Sequence, residues 1–341
     1  MERIIKIGKL ETGQKNTICD VEGVLVGHYT VEKDDVHTGV TAILPHNRNT
    51  FKEKVTASCF AFNGFGKSMG FIQVDELGTV ETPILLTNTL AIGRISDGLI
   101  DYMLTNNPDI GFSTGTVNPI VMECNDGTIN NIRKKSLTAD DAIAAILDAN
   151  TDFAQGGVGA GAGMICHGLK GGIGSSSRVF EIGGTKYTLG VLVNSNFGSS
   201  RGRDLIVNGK HVGKQICQEI LEEDDKGSIA VVIATDVPLD SRQLKRIIKR
   251  SAIGIGRTGS FVGHGSGDVF LGFTTRNPVY HYPEKSTRQV ELLNEGEINI
   301  CFRAAVEAVE EAIINSMLYA DSVKGFKKEI RSLNEFIDIL K

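Results

Sequence analysis

Glycine falls in clumps along this sequence, and the clumps limit what the chain can fold into. There are 40 glycines in 341 residues, against ~7% in an ordinary protein. Clustered glycine in a chain that is otherwise 41% hydrophobic is not a disordered linker. It marks tight turns and places where backbone approaches backbone or ligand closely. Two clusters stand out: Gly156 to Gly163 (GGVGAGAG), and Ile253 to Thr275 (IGIGRTGSFVGHGSGDVFLGFTT). In the second, glycines surround Ser260, and Asp268 leads into a strand-like run.

Between the clumps, strands and helices alternate. Val24 to Val26, Val40 to Leu44, Ile84 to Leu86, Tyr187 to Val193, Ile229 to Ala234 and Val269 to Thr274 are rich in β-branched apolar residues and read as strands. Thr138 caps a predicted helix through Ile143 and Ile146, with Asp140 and Asp141 in its first turn. Further helices are expected over Val212 to Leu221, Asp240 to Ser251 (Asp240 as N-cap), Phe302 to Ala320 and Phe326 to Leu340. Several are more apolar than a surface helix with one buried face. The alternation predicts an α/β protein with sheet and helix layers. With no internal repeat and no Pro/Ser-rich linker, residues 1–341 are expected to form one domain.

Composition excludes several functions. A net charge of −5 is the wrong sign for a nucleic-acid binder, which concentrates basic residues on one face. The basic stretch Arg242 to Arg250 has the rhythm of a solvated amphipathic helix. No apolar run approaches the ~20 residues of a membrane span, and Met1 to Lys6 lacks the features of a secretory signal. Six scattered cysteines then read as reduced thiols in a cytoplasm. Histidines without HxxxH or HxH spacing give no metal signal, and no cofactor is called for.

Three motifs mislead. Asn63 to Ser68 ends like a phosphate loop, but the required glycine five residues before Gly66 is Ala61. Gly254 to Gly259 satisfies GxGxxG, yet it follows a basic helix rather than a strand. Gly156 to Gly163 is not followed by a clear acidic residue at the dinucleotide offset and reads as close packing or a turn lining a pocket.

Ser260 carries the chemistry. A serine nucleophile needs a base within hydrogen-bond reach. The GxSxG elbow is absent, because Thr258 and Val262 occupy the ±2 positions. The next solution is for the nucleophile to carry its own base. If the Gly259–Ser260 bond is broken, Ser260 gains an α-amine of pKa ~7.7–8.0, within reach of its own hydroxyl directly or through one water. Gly259 leaves the scissile carbonyl sterically open and tolerates the strained backbone an N→O acyl shift requires. A structural glycine-rich turn fits the same residues.

Over most of its length the chain also resembles the DmpA aminopeptidase family. The resemblance runs through Asn16 to His28, Asn63 to Lys67, Glu76 to Ile84, Leu86 to Thr89 and Glu123 to Gly127. It continues through Lys170 to Gly174, Gly190 to Gly198, Ala234 to Leu239 and Arg257 to Ser260, and closes with the helix holding Glu310, Glu311 and Ala312. It implies a four-layer αββα sandwich of the DmpA/ornithine acetyltransferase type. It further implies self-cleavage into 1–259 and 260–341, a homo-oligomer of such pairs, and release of N-terminal residues from small peptides, amides or esters. Ser260 then matches the nucleophile after the scissile Gly259, and Asn196 the amide donor to the oxyanion. Glu123 matches a carboxylate that holds the substrate ammonium or serves as a structural acceptor. Glu311 orients the new α-amine, with Glu310 as competitor, and Lys170 lines the pocket or sits on a turn. Two departures accompany these matches. The family tyrosine near the oxyanion is missing, with Ser136 in its place, and Val309 stands where a hydroxyl is expected. Alternatives on the same fold are an oligoamide hydrolase or acyltransferase, whose relatives process at threonine, and an uncleaved, non-catalytic homologue.

Overall fold

The structure is a computed structural model that describes residues 5–199, 202–217 and 226–340. The first half contains strands β1 (Leu25–Lys33), β2 (Val36–Leu44) and β3 (Glu53–Gly64), helix α1 (Phe71–Leu77), and strands β4 (Thr79–Val80) and β5 (Ile84–Asn88). Helix α2 (Ile92–Asn106), strand β6 (Ile120–Cys124) and helix α3 (Ala139–Leu147) follow, then a small hairpin, β7 (Ile165–Cys166) and β8 (Leu169–Lys170). The second half holds β9 (Gly172–Ile182), β10 (Thr185–Asn196), α4 (Gly213–Ile216), β11 (Gly227–Thr235), α5 (Ser241–Ile248) and α6 (Ser251–Arg257). It ends with β12 (Ser266–Tyr280), α7 (Asn299–Leu318) and a second small hairpin, β13 (Val323–Lys324) and β14 (Glu329–Ile330).

Two sheets carry the fold, ordered β1-β2-β5-β6 and β4-β3-β12-β11-β10-β9. Pairing is antiparallel except for β5 with β6 and β11 with β12. Each parallel pair is joined through helices (α2 in one case, α5 and α6 in the other), as parallel neighbours require. Side-chain alternation sorts the residues of β11 between two cores. Ile229, Val231 and Ile233 face the core shared with α5, α6 and α7, whereas Ala230, Val232 and Ala234 face the core between the sheets. A third core packs α2 and α3 on the outer face of the smaller sheet, around Ile95, Leu99 and Ala145. The layers therefore run helix, sheet, sheet, helix, the αββα sandwich expected. Strands buried on both faces read as continuous apolar runs, which is why β10, β11 and β12 are visible in the sequence.

Local signals act where expected. Thr138 caps α3 through a reciprocal box with Asp141, and the Asp240 carboxylate accepts from Gln243 N at 2.6 Å at the start of α5. The cluster 156–163 is close packing. A Cβ on Gly156 would lie 2.1 Å from the carbonyl oxygen of Tyr319. Other expectations need correction. Phe326 to Leu340 is not one helix: it completes the β13–β14 hairpin and ends in a 3-10 turn over Leu333–Ile339. Gly254 and Gly256 lie inside α6. The helix expected over Val212 to Leu221 is one short turn, α4, and residues 218–221 lie outside the described residues.

Candidate active site

At one end of the sandwich the ends of β3, β6 and β10 meet the starts of β11 and β12 around a cavity of ≈ 700 Å³. β6 brings Glu123 and Asn125 to its wall, β10 brings Asn196 followed by Phe197 and Gly198, and β11 brings Gly227 and Ser228. Phe65, just past β3, and Gly265, just before β12, close it.

Ser260 lies in the loop from α6 to β12. It is buried, 8% exposed, and is not itself a cavity-lining residue with the Gly259–Ser260 bond intact. The turn before it is fixed from several sides. Gly259 has φ +102°, and a Cβ there would lie 1.8 Å from the carbonyl oxygen of Asp204. Ile206 N donates to Thr258 O at 2.9 Å, and Gly259 N to Gly256 O at 3.1 Å. Val262 N donates to Ser260 Oγ at 3.0 Å, and Val262 itself has φ +57°. A β-branched residue in the left-handed region costs of order 1–3 kcal/mol and persists only where its surroundings over-determine it.

The turn is also tied to the cavity wall. The Thr258 hydroxyl donates to Ile255 O at 2.7 Å, so its oxygen accepts from His167 Nε2 at 3.3 Å, which fixes the ring as the Nε2–H tautomer. That ring lies against cavity-lining Gly198, where a Cβ would meet His167 Nδ1 at 2.5 Å. On the other side Asn63 Nδ2 donates to Gly263 O at 2.9 Å.

Glu123 is 5% exposed, and its Oε1 accepts from Lys67 N at 2.8 Å, which holds one carboxylate oxygen at the wall. Asn196 is locked at both ends of its amide. Its Oδ1 accepts from Ile165 N at 3.0 Å, and its Nδ2 donates to Asn125 O at 3.0 Å and Ser228 Oγ at 3.3 Å. Adjacent Glu310 and Glu311 point apart, as neighbours on a helix must. Glu311 is pinned by Arg178 at 2.7 Å and Asn16 at 2.7 Å. Glu310 is reached by Arg257, three residues before Ser260, at 3.2 Å, and burial raises its carboxyl pKa.

Two sequence expectations move elsewhere, and the place of a third residue is now fixed. Lys170 does not line this cavity. Its ammonium is buried behind it, donating to Gly161 O at 2.9 Å and Gly171 O at 2.7 Å, because β8 turns its side chain into the glycine-rich cluster. Desolvation pulls its pKa down to about 7. Ser136 is exposed on the loop before α3 and is not a lining residue. Val309 is buried in the helix-side core against Gly254.

Sequence reasoning missed Lys67, Lys327 and Lys328, all of which line the cavity. Lys67 lay in plain view inside the false phosphate loop, where its Nζ now donates to Thr89 Oγ1 at 2.9 Å. Lys327 and Lys328 were hidden by the helix expected over their segment. Among the described residues no cluster of three or more His, Cys, Asp or Glu is arranged to hold a metal, and no helix is long and apolar enough to cross a membrane.

Known proteins match this architecture along nearly its whole length. The model of peptidase family S58 matches residues 16–331. The β-peptidyl aminopeptidase BapA of Sphingosinicella microcystinivorans is 35% identical, the match covering 92% of this chain and 84% of that protein. The solved structure of a Pyrococcus horikoshii OT3 protein superposes with a TM-score of 0.93 at 47% identity, over 98% of this chain and 96% of that one. That of the L-aminopeptidase D-Ala-esterase/amidase from Ochrobactrum anthropi, described as a variant of the Ntn hydrolase fold, gives 0.89 at 33%, over 97% and 95%. Fold and relatives together define a serine-type hydrolase of the Ntn kind. Within that class, the chain belongs to peptidase family S58.

Proposed function

We propose that the chain is an aminopeptidase or amidase that cuts its own Gly259–Ser260 bond and then uses Ser260 as an N-terminal nucleophile. The observation that carries this reading is the over-determined turn at Gly259 directly before a buried serine, with Val262 held in the left-handed region just after it, in a family whose named relatives are aminopeptidases.

In the cutting step Ser260 Oγ adds to the Gly259 carbonyl carbon and its proton passes to the departing amide nitrogen. The C–N bond breaks and an ester forms. Water hydrolyses the ester, leaving a carboxylate on Gly259 and a free amine and hydroxyl on Ser260. In turnover that amine, of pKa ~7.7–8.0, takes the hydroxyl proton as Oγ attacks the substrate carbonyl, then passes it to the leaving nitrogen. Water releases the acyl group.

Asn196 is our choice for the oxyanion donor. Its longer contact, to Ser228 Oγ at 3.3 Å, is the one free energy favours exchanging, and such a donor is worth ~2.7–4 kcal/mol of barrier. Glu123 takes the substrate ammonium through the carboxylate oxygen that does not hold Lys67 N. Glu311, held by Arg178 and Asn16, is our choice to orient the new amine, with Glu310, held by Arg257, as its competitor. Small peptides or amides are the substrates. The same reading extends to a homo-oligomer of processed pairs in a cytoplasm, which sedimentation and fractionation test.

N-terminal sequencing and denaturing gels provide the decisive measurement. Purified protein is expected to show fragments of 259 and 82 residues (341 − 259), the smaller beginning at Ser260, and Ser260→Ala is expected to stay whole and inactive. A Ser260→Ala variant that hydrolyses substrate at the parent rate overturns the proposal.

A further inference from the structure

The charge around the cavity runs against that of the chain. Formal net charge is −5, yet among the described residues the ionisable side chains lining the cavity are Lys67, Lys226, Lys327, Lys328 and the acid Glu123. Ammonium groups gathered around one concave wall repel one another, and such a wall concentrates anions. Among the described residues, Lys67, Lys327 and Lys328 form no ion pair, Lys67 resting on the Thr89 hydroxyl.

Lys327 and Lys328 are not loose surface lysines. They form the tip of the β13–β14 hairpin, and the backbone fastens that tip to the loop after β6. Phe326 N donates to Ile129 O at 2.7 Å and Lys327 N to Thr128 O at 3.1 Å. Gly325 N donates to Lys328 O at 3.1 Å across the turn. The hairpin thus places two cations in the wall of the cavity that holds Glu123.

We infer that Lys327 and Lys328 recognise the C-terminal carboxylate of a short peptide whose amino end is held at Glu123. The inference rests on the aminopeptidase reading and names its substrate class: di- and tripeptides with a free C-terminus, in preference to capped peptides or long chains. Size agrees. A sphere of ≈ 700 Å³ is about 11 Å across, and an extended residue spans at most ~3.6 Å, so two residues fit within it and about three bridge it. A substrate with one ammonium and one carboxylate matches the acid and the lysines among the described lining residues.

The test separates recognition from catalysis. Calorimetry on Ser260→Ala protein compares a β-alanyl dipeptide with its C-terminal amide, and turnover of the same pair by parent protein is measured alongside. The free acid is expected to bind about tenfold or more tighter, the scale of charge-assisted hydrogen bonds, with the preference shrinking as salt rises. In a Lys327→Gln/Lys328→Gln background the ratio is expected to fall to about one. The hairpin survives this change because its fastenings are backbone bonds, and unchanged thermal unfolding verifies that. Equal affinity for acid and amide, binding of neither, or a preference that persists in the double variant overturns the inference. Failure of the parent to hydrolyse either peptide despite selective binding instead counts against the catalytic reading.

Discussion

Replacing Gly259 by alanine isolates the turn on which the proposed chemistry depends. With φ at +102°, any L-residue here pays the left-handed penalty of roughly 1–2 kcal/mol. The added methyl would also sit 1.8 Å from the Asp204 carbonyl oxygen. That neighbour is backbone, so it has to shift, and forced backbone shifts cost about 1–3 kcal/mol. Together Gly259→Ala is expected to destabilise the uncut chain by about 2–5 kcal/mol. At ~2.1 cal/mol/K of unfolding entropy per residue, 341 residues convert this to a Tm drop of about 3–7 °C. The measurement belongs in a Ser260→Ala background, where cutting cannot change the starting state, by urea and thermal unfolding. Gly256→Ala is the control. It is three residues away in α6 with nothing within 4 Å of its added Cβ, so it is expected to be neutral or to stabilise by up to ~1 kcal/mol. A Gly259→Ala cost below ~0.5 kcal/mol, or a cost equal to that of Gly256→Ala, refutes the claim that the turn is held.

Three further outcomes are expected. Glu123→Gln keeps an acceptor for Lys67 N but loses the charge, so kcat/KM for substrates with a free amine is expected to fall ~10–100-fold, chiefly through KM, as for a hydrogen bond to a charged group; steady-state kinetics reads it. Arg178→Met leaves Glu307 and Glu311 buried without their cation and is expected to cost about 3–5 kcal/mol, seen as a lower urea midpoint. Lys170 has a folded pKa of about 7 against 10.5, so between those values the unfolded chain binds the extra proton. Stability is therefore expected to rise with pH from about 7 to 10.5, by up to about 1.4 kcal/mol per unit from this group, and Lys170→Met is expected to remove that part of the slope in urea titrations.

What was legible in the sequence was whatever declared itself locally. The apolar runs of β10, β11 and β12 are set by burial on both faces, and the caps of α3 and α5 are built from residues three apart. Strand β9 was not legible. Its Ser175, Ser176, Ser177 and Arg178 are fully buried, and burial is tolerable only because distant groups receive them: Val191 O, Ala308 O, Asp20 and Glu311. No window of the sequence contains those partners. Strand β3 was not legible either, because its sequence EKVTASCFAFNG mixes small and polar residues and contains no β-branched apolar run.

The candidate site divides the same way. Glu123, Asn196 and the Ser260 loop, far apart in the chain, meet at one end of the sandwich. Lys170 carried a pocket role by resemblance, but β8 points it inward. Lys327 and Lys328 belong to the wall only because a hairpin tip docks on Thr128 and Ile129, a contact between segments about 200 residues apart.

Strand β12 lies inside the larger sheet, flanked by β3 and β11, and α7 is buried along most of its length. Both follow residue 259. A molecule severed there would keep its severed portion as the keel of its own hull: neither length of polypeptide could leave without unfolding the other. Covalent continuity at that point is mechanically redundant, so the fold can surrender one peptide bond and keep its shape.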